Sequence, residues 1–119
     1  MPRYMMLLRA ADNPMLGDPP PALFEAIGKL GQQMTDAGTL LDTGGLAPQQ
    51  ASTRLRLSEG EVDTEGFPAG EQVIAYALLR ATNQEQAIGH ATSFLDLHRQ
   101  YWPGWQGATE IRQVFGPNE

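Results

Sequence analysis

Val73-Ile74-Ala75-Tyr76-Ala77-Leu78-Leu79 is a run with no polar face. A strand sends successive side chains to opposite sides. Val73, Ala75, Ala77 and Leu79 then share one side, and Ile74, Tyr76 and Leu78 the other. A segment apolar on both sides asks for cover on both. Tyr4-Met5-Met6-Leu7-Leu8, inside a first strand expected over Arg3–Arg9, has the same character. The chain offers two helical patterns, enough for one face of a sheet. The other face therefore calls for a second copy of the chain.

The first helix is expected over Ala22–Ala37. Pro19–Pro21 deliver the chain to its start, where a missing N–H costs little, after a loop over Ala10–Pro21. Leu23, Phe24, Ile27, Leu30 and Met34 recur at helical spacing as one apolar stripe, and Gly38 stands at the C-terminal cap. The second helix runs from a Thr82-x-x-Glu85 capping box to about Arg99, with Ala87, Ile88, Ala91, Phe94 and Leu95 facing inward. Between them come a short strand over Thr39–Thr43 closed by Gly44-Gly45, an alternating strand over Thr53–Ser58, a hairpin turn at Glu59-Gly60 and a return over Glu61–Thr64. An irregular loop over Glu65–Gly70 leads to the long strand Glu71–Arg80. An aromatic loop, Tyr101–Trp105, precedes a last strand over Thr109–Phe115. The order strand, helix, strands, strand, helix, strand is the ferredoxin-like split βαβ plan with an added hairpin. It predicts an α+β fold, an antiparallel sheet with both helices on one face. Two such sheets joined through their bare faces make a dimeric α+β barrel, with a small-molecule cavity expected between sheet and partner.

The 119 residues suit one domain over 1–119. The net charge is −6, Lys29 is the single lysine, and the arginines are scattered. This disfavours nucleic acid and anionic membranes as partners. The apolar runs are far short of a membrane span, and the first residues lack a secretory signal pattern, so a cytoplasmic location is expected. With no Cys, disulfides and thiolate chemistry are excluded. Two histidines without His-x-x-x-His or His-Glu-x-x-His spacing argue against a metal, and no glycine-rich phosphate loop is present, so no cofactor is expected.

Several segments resemble the YCII-related proteins, in particular the DGPF-domain group. They are Arg3–Leu8, Gly28-Lys29, Ala37–Asp42 with Gly44–Pro48, Thr53-Arg54, Tyr76, Glu85–Ile88 and Glu110–Phe115, spread over nearly the whole chain. The resemblance implies the ferredoxin-like dimeric fold and a family whose biochemical role is mostly unassigned. Where members carry Asp-Gly-Pro-Phe-Ala-Glu, this chain has Glu65-Gly66-Phe67-Pro68-Ala69-Gly70. Glu65 keeps the carboxylate, and the later acid is lost unless Glu71 replaces it. A first-helix His, suspected in some members of acting with an Asp, has its counterpart near Ile27, and that chemistry is not carried over.

Among residues that can carry chemistry, His98 follows Asp96 by two positions in a polar and aromatic segment. A carboxylate-oriented His is a general base, but residues two apart on a helix do not face each other. A solvated helix end meeting the helix dipole is the favoured reading. His90 reads as surface or packing. Trp102 and Trp105 form either a ligand wall or, the favoured reading, a cap on the core or the dimer seam. Lys29 and Arg54 hold an anionic ligand or make surface ion pairs. The hydroxyl of Tyr76, in a doubly covered strand, needs a partner, which makes Tyr76 the leading candidate to line a cavity, with a purely structural bond an equal alternative. Two functions follow: a dimeric binding or regulatory module for a small molecule, with Tyr76, Lys29, Arg54, Glu65 and Trp102 at its site, or a small cofactor-free enzyme using Asp96 or His98 in proton transfer.

Overall fold

Four long strands form one antiparallel sheet in the computed structural model, which describes residues 1–11 and 13–117. The elements are β1 (Arg3–Ala10), α1 (Pro21–Asp36), β2 (Leu40–Gly45), β3 (Arg54–Ser58), β4 (Glu61–Glu65), β5 (Gln72–Arg80), α2 (Gln84–Tyr101) and β6 (Ala108–Val114). The main sheet has the order β2-β5-β1-β6, with every neighbouring pair antiparallel. Both helices pack on it from one side, giving the α+β ferredoxin-like fold. Asp12, in the loop expected between Ala10 and Pro21, lies outside the described residues.

The two-sided apolar strands sit at the centre of the sheet. On β1, Tyr4, Met6, Leu8 and Ala10 are buried and alternate with half-buried Arg3, Met5, Leu7 and Arg9. Ala77 and Leu79 of β5 lie on the same side as Met6 and pack with Ala91 of α2. Leu79 and Leu23 are the largest fully buried side chains. Each contributes roughly 1.5–3 kcal/mol by leaving water.

On the other side, among the described residues, no helix covers the sheet. The register aligns Met5 with Leu78 and Arg112, and Leu7 with Tyr76 and Glu110. This bare face has an apolar centre of Met5, Leu7, Tyr76 and Leu78, rimmed by Arg9, Glu110, Arg112 and Asp42. Arg9 pairs with Glu110 across it. At the far end the alternation expected of Val73–Leu79 fails, because a bulge opposite Leu8 and Arg9 puts Ile74 out of register.

Five local readings are corrected. β2 runs through Gly44-Gly45 instead of stopping before them, since both glycines pair with β5. The Tyr76 ring needs that: a Cβ on Gly44 would come within 2.9 Å of its Cε1. Glu65 belongs to β4 and not to the following loop. The helix start is one residue later than Thr82: Asn83 Oδ1 accepts from Gln86 N–H at 2.8 Å, while Gln86 Oε1 accepts from Thr82 N–H at 2.7 Å. Phe24 and Ile88 are exposed, not inward. Phe115 falls beyond β6 and is exposed.

β3 and β4 form a separate two-stranded hairpin. Its turn has left-handed φ angles of 53° at Glu59 and 81° at Gly60, the pattern of a type I′ turn. The Cα radius of gyration is 16.3 Å, against roughly 13.5 Å for a chain of this length.

Candidate functional site

α2 presents Ala87, Ala91, Phe94 and His98 along one stripe, at spacings of four, three and four residues. Ala87 and Ala91 are buried against the sheet. His98, at the end of the stripe, is therefore carried inward and is only 6% exposed. This overturns the solvated helix end expected for it. Its Nδ1–H donates to Phe94 O at 3.1 Å, which leaves Nε2 as the acceptor nitrogen of a neutral ring. Among the described residues no hydrogen-bond donor reaches Nε2. Burial pushes the imidazole below its usual pKa, and the Phe94 carbonyl opposes that only in part.

Two aromatic rings hold the imidazole in place. Phe94 meets it edge-on at 4.8 Å, and Trp105 lies against it at 4.4 Å. Trp102 stacks on Trp105 at 6.3 Å. The backbone brings these together: Trp102 N–H donates to His98 O and Trp105 N–H to Trp102 O, so the chain turns back over the helix end. Gly107 completes the arrangement. A Cβ there would stand 2.2 Å from Trp105 Cη2 and 2.9 Å from Arg9 O, so only glycine lets the indole and the β1 backbone approach.

His98, Trp102 and Trp105 line a half-open cavity of about 660 Å³ between α1, α2 and the sheet. Its walls include Leu23, Ile27 and Met34 of α1, Met6 and Leu8 of β1, and Phe94 of α2. Among the described residues that line it there is no Asp, Glu, Lys or Arg. The polar side chains are few: Gln32, Thr35, Thr43, His90 and His98. The size fits a small organic molecule, and the lack of charge selects a neutral one, since a buried ion needs a partner. His98 and Trp105 also line a second groove of about 580 Å³ with Asp96 and Arg99.

The other candidates are dispersed. Asp96 does not orient His98; it pairs with Arg99 at 2.8 Å. Tyr76 belongs to the strand beneath the cavity, but its side chain lies on the bare face, where its hydroxyl donates to Asp42 Oδ2 at 3.0 Å. That bond, with partial burial and the charge of Asp42, raises the phenol above its usual pKa. Trp102 is a wall residue. Lys29 is exposed on α1 and is not in the wall. Arg54 and Glu65 do come together, as an ion pair within the hairpin, remote in the chain from the cavity elements. Among the described residues no group of acids, His or Cys is placed to hold a metal, and no helix is long and apolar enough to cross a membrane.

Sequence reasoning missed the α1 side of this site and the placement of His98. The i, i+4 relation of Phe94 and His98 carried the signal. No protein-family model matches the chain, and no curated protein matches it.

Proposed function

We propose that the chain is a small-molecule-binding module that works as a dimer, as its resemblance to the YCII-related proteins implies, and binds a neutral, largely apolar ligand in the cavity between the helices and the sheet. The observation that carries this reading is the uncharged cavity of about 660 Å³ whose wall holds one buried imidazole with an uncommitted acceptor nitrogen. A ligand hydroxyl or N–H donating to Nε2 sets orientation, and the apolar walls supply most of the affinity. The bare face of the main sheet is covered by a second copy. The absence of Cys supports a reducing compartment such as the cytoplasm.

The test uses 2-naphthol, which has a donor hydroxyl on an apolar frame, and 2-methylnaphthalene, which lacks it. Trp105 fluorescence reports binding. Wild-type protein is expected to bind 2-naphthol, and His98→Phe to bind it about tenfold more weakly while binding 2-methylnaphthalene unchanged. Absence of 2-naphthol binding, or equal loss for both probes, sinks the reading.

A second reading rests on the same nitrogen. A neutral imidazole with its proton fixed on Nδ1 is a general base, so the module acts instead as a cofactor-free enzyme through His98. Conversion of a bound neutral substrate, lost in His98→Phe, distinguishes it from retention alone.

A further inference from the structure

We infer that the β3–β4 hairpin is an arm that clasps the second copy of the chain. This extends the dimer of the preceding section and rests on it. The hairpin sorts its side chains by face. Its register sets Leu57 opposite Val62 and Leu55 opposite Thr64, while Arg54 faces Glu65 and Arg56 faces Asp63. The charged face is satisfied internally, by pairs from Glu65 to Arg54 and, at 3.6 Å, to Arg56. The apolar face has no cover: Leu55, Leu57 and Val62 are 65%, 71% and 62% exposed. A two-stranded hairpin with nothing packed on it is marginal in water, so this one needs a surface.

The area of the bare sheet face indicates which surface. Its four strands, spaced about 4.8 Å and rising about 3.3 Å per residue over about seven residues, present roughly 450 Å². Two such faces bury roughly 900 Å² in total, short of the roughly 1,200–2,000 Å² of a stable pair. The apolar face of each hairpin adds roughly 150 Å² and covers as much of the partner. With both arms engaged the total reaches roughly 1,500 Å², the size of a stable interface. A two-fold pair uses the same patches on each copy, so one chain supplies both the bare face and the arm. The turn at Glu59-Gly60 and the Arg54–Glu65 pair hold the arm formed in advance, which lowers the ordering cost on association.

Sedimentation of the full chain over a concentration series tests this. Three proteins are compared: wild type, the double variant Leu55→Glu/Leu57→Glu, and Leu7→Glu on the bare face. The altered arm residues are solvent-exposed, so circular dichroism is expected to stay unchanged. The arm variant is expected to weaken the dimer by about 100-fold, and Leu7→Glu to abolish it. An arm variant that dimerises as tightly as wild type overturns the arm and leaves the face-to-face dimer standing. A wild type that stays monomeric throughout overturns both. Leu57→Cys labelled with a benzophenone maleimide gives a second readout, since the chain has no other thiol. A cross-linked species of twice the chain mass is expected; cross-links found only within one chain overturn the arm.

Discussion

His98 shows how one buried ring ties stability to pH. Burial lowers its folded-state pKa below the ordinary value of 6.5. The unfolded chain then binds more protons than the folded one as pH falls through 6.5. Its contribution is complete above that pH and is lost on acidification towards the folded pKa. Denaturation of wild type and His98→Phe between pH 8 and pH 5 checks this. Wild type is expected to lose more stability on acidification than the variant, and parallel curves count against a neutral buried ring. At this scale the sequence was half legible. Asp96 two residues away drew attention, but it faces elsewhere and binds Arg99. Phe94, four residues back, accepts the Nδ1–H hydrogen bond at its carbonyl oxygen. The stripe of α2 turns His98 inward, but the cover over it comes from Trp105, whose place needs Gly107. No local pattern announces a contact that joins a helix end, a turn and a strand backbone.

Among the elements, α2 illustrates what spacing alone resolves. Its helical period is plain, but the Thr82-x-x-Glu85 box read for its start is one residue early. The structure uses Asn83 and Gln86, with Thr82 contributing only its N–H. Asn83→Ala is expected to destabilise the fold by about 1 kcal/mol, whereas Thr82→Ala, which keeps that N–H, is expected to change little. Urea unfolding of both variants decides between the caps, and the reverse ranking would restore Thr82. The strands were readable where they are central. β1 and β5 are apolar on both sides because helices cover one side and the other is bare. β2 was read short because glycine normally ends a strand, yet here the Tyr76 ring occupies the space a side chain on Gly44 would fill. Phe24 and Ile88 fit the apolar stripes by period but stand at their edges, where a helix surface turns to water.

The whole molecule is a flat plate, 46 × 46 × 19 Å along its Cα axes. Its layered plan, an antiparallel sheet with both helices on one face, was legible from the order of strands and helices, because a split βαβ chain admits few arrangements. The cavity was not, since it lies on the helix side and is bounded by residues more than 80 positions apart in sequence, from Met6 to Trp105. A dimer held through the bare face makes melting depend on concentration by mass action. The transition is expected to fall by about 3 °C for each tenfold dilution. A midpoint that ignores concentration over a hundredfold range counts against association.

β2 and β6, at the two margins of the main sheet, each carry one line of backbone groups with no strand beyond among the described residues. Such margins invite neighbour after neighbour to add on. Here the β2 margin is broken by the irregularity at Leu41, between Leu40 and Asp42, and the β6 margin alternates Glu110 and Arg112 with less polar residues. Charge and a kink both discourage a strand from docking alongside. Growth sideways into fibrils is thereby discouraged, and the proposed pairing through the broad oily side closes on itself.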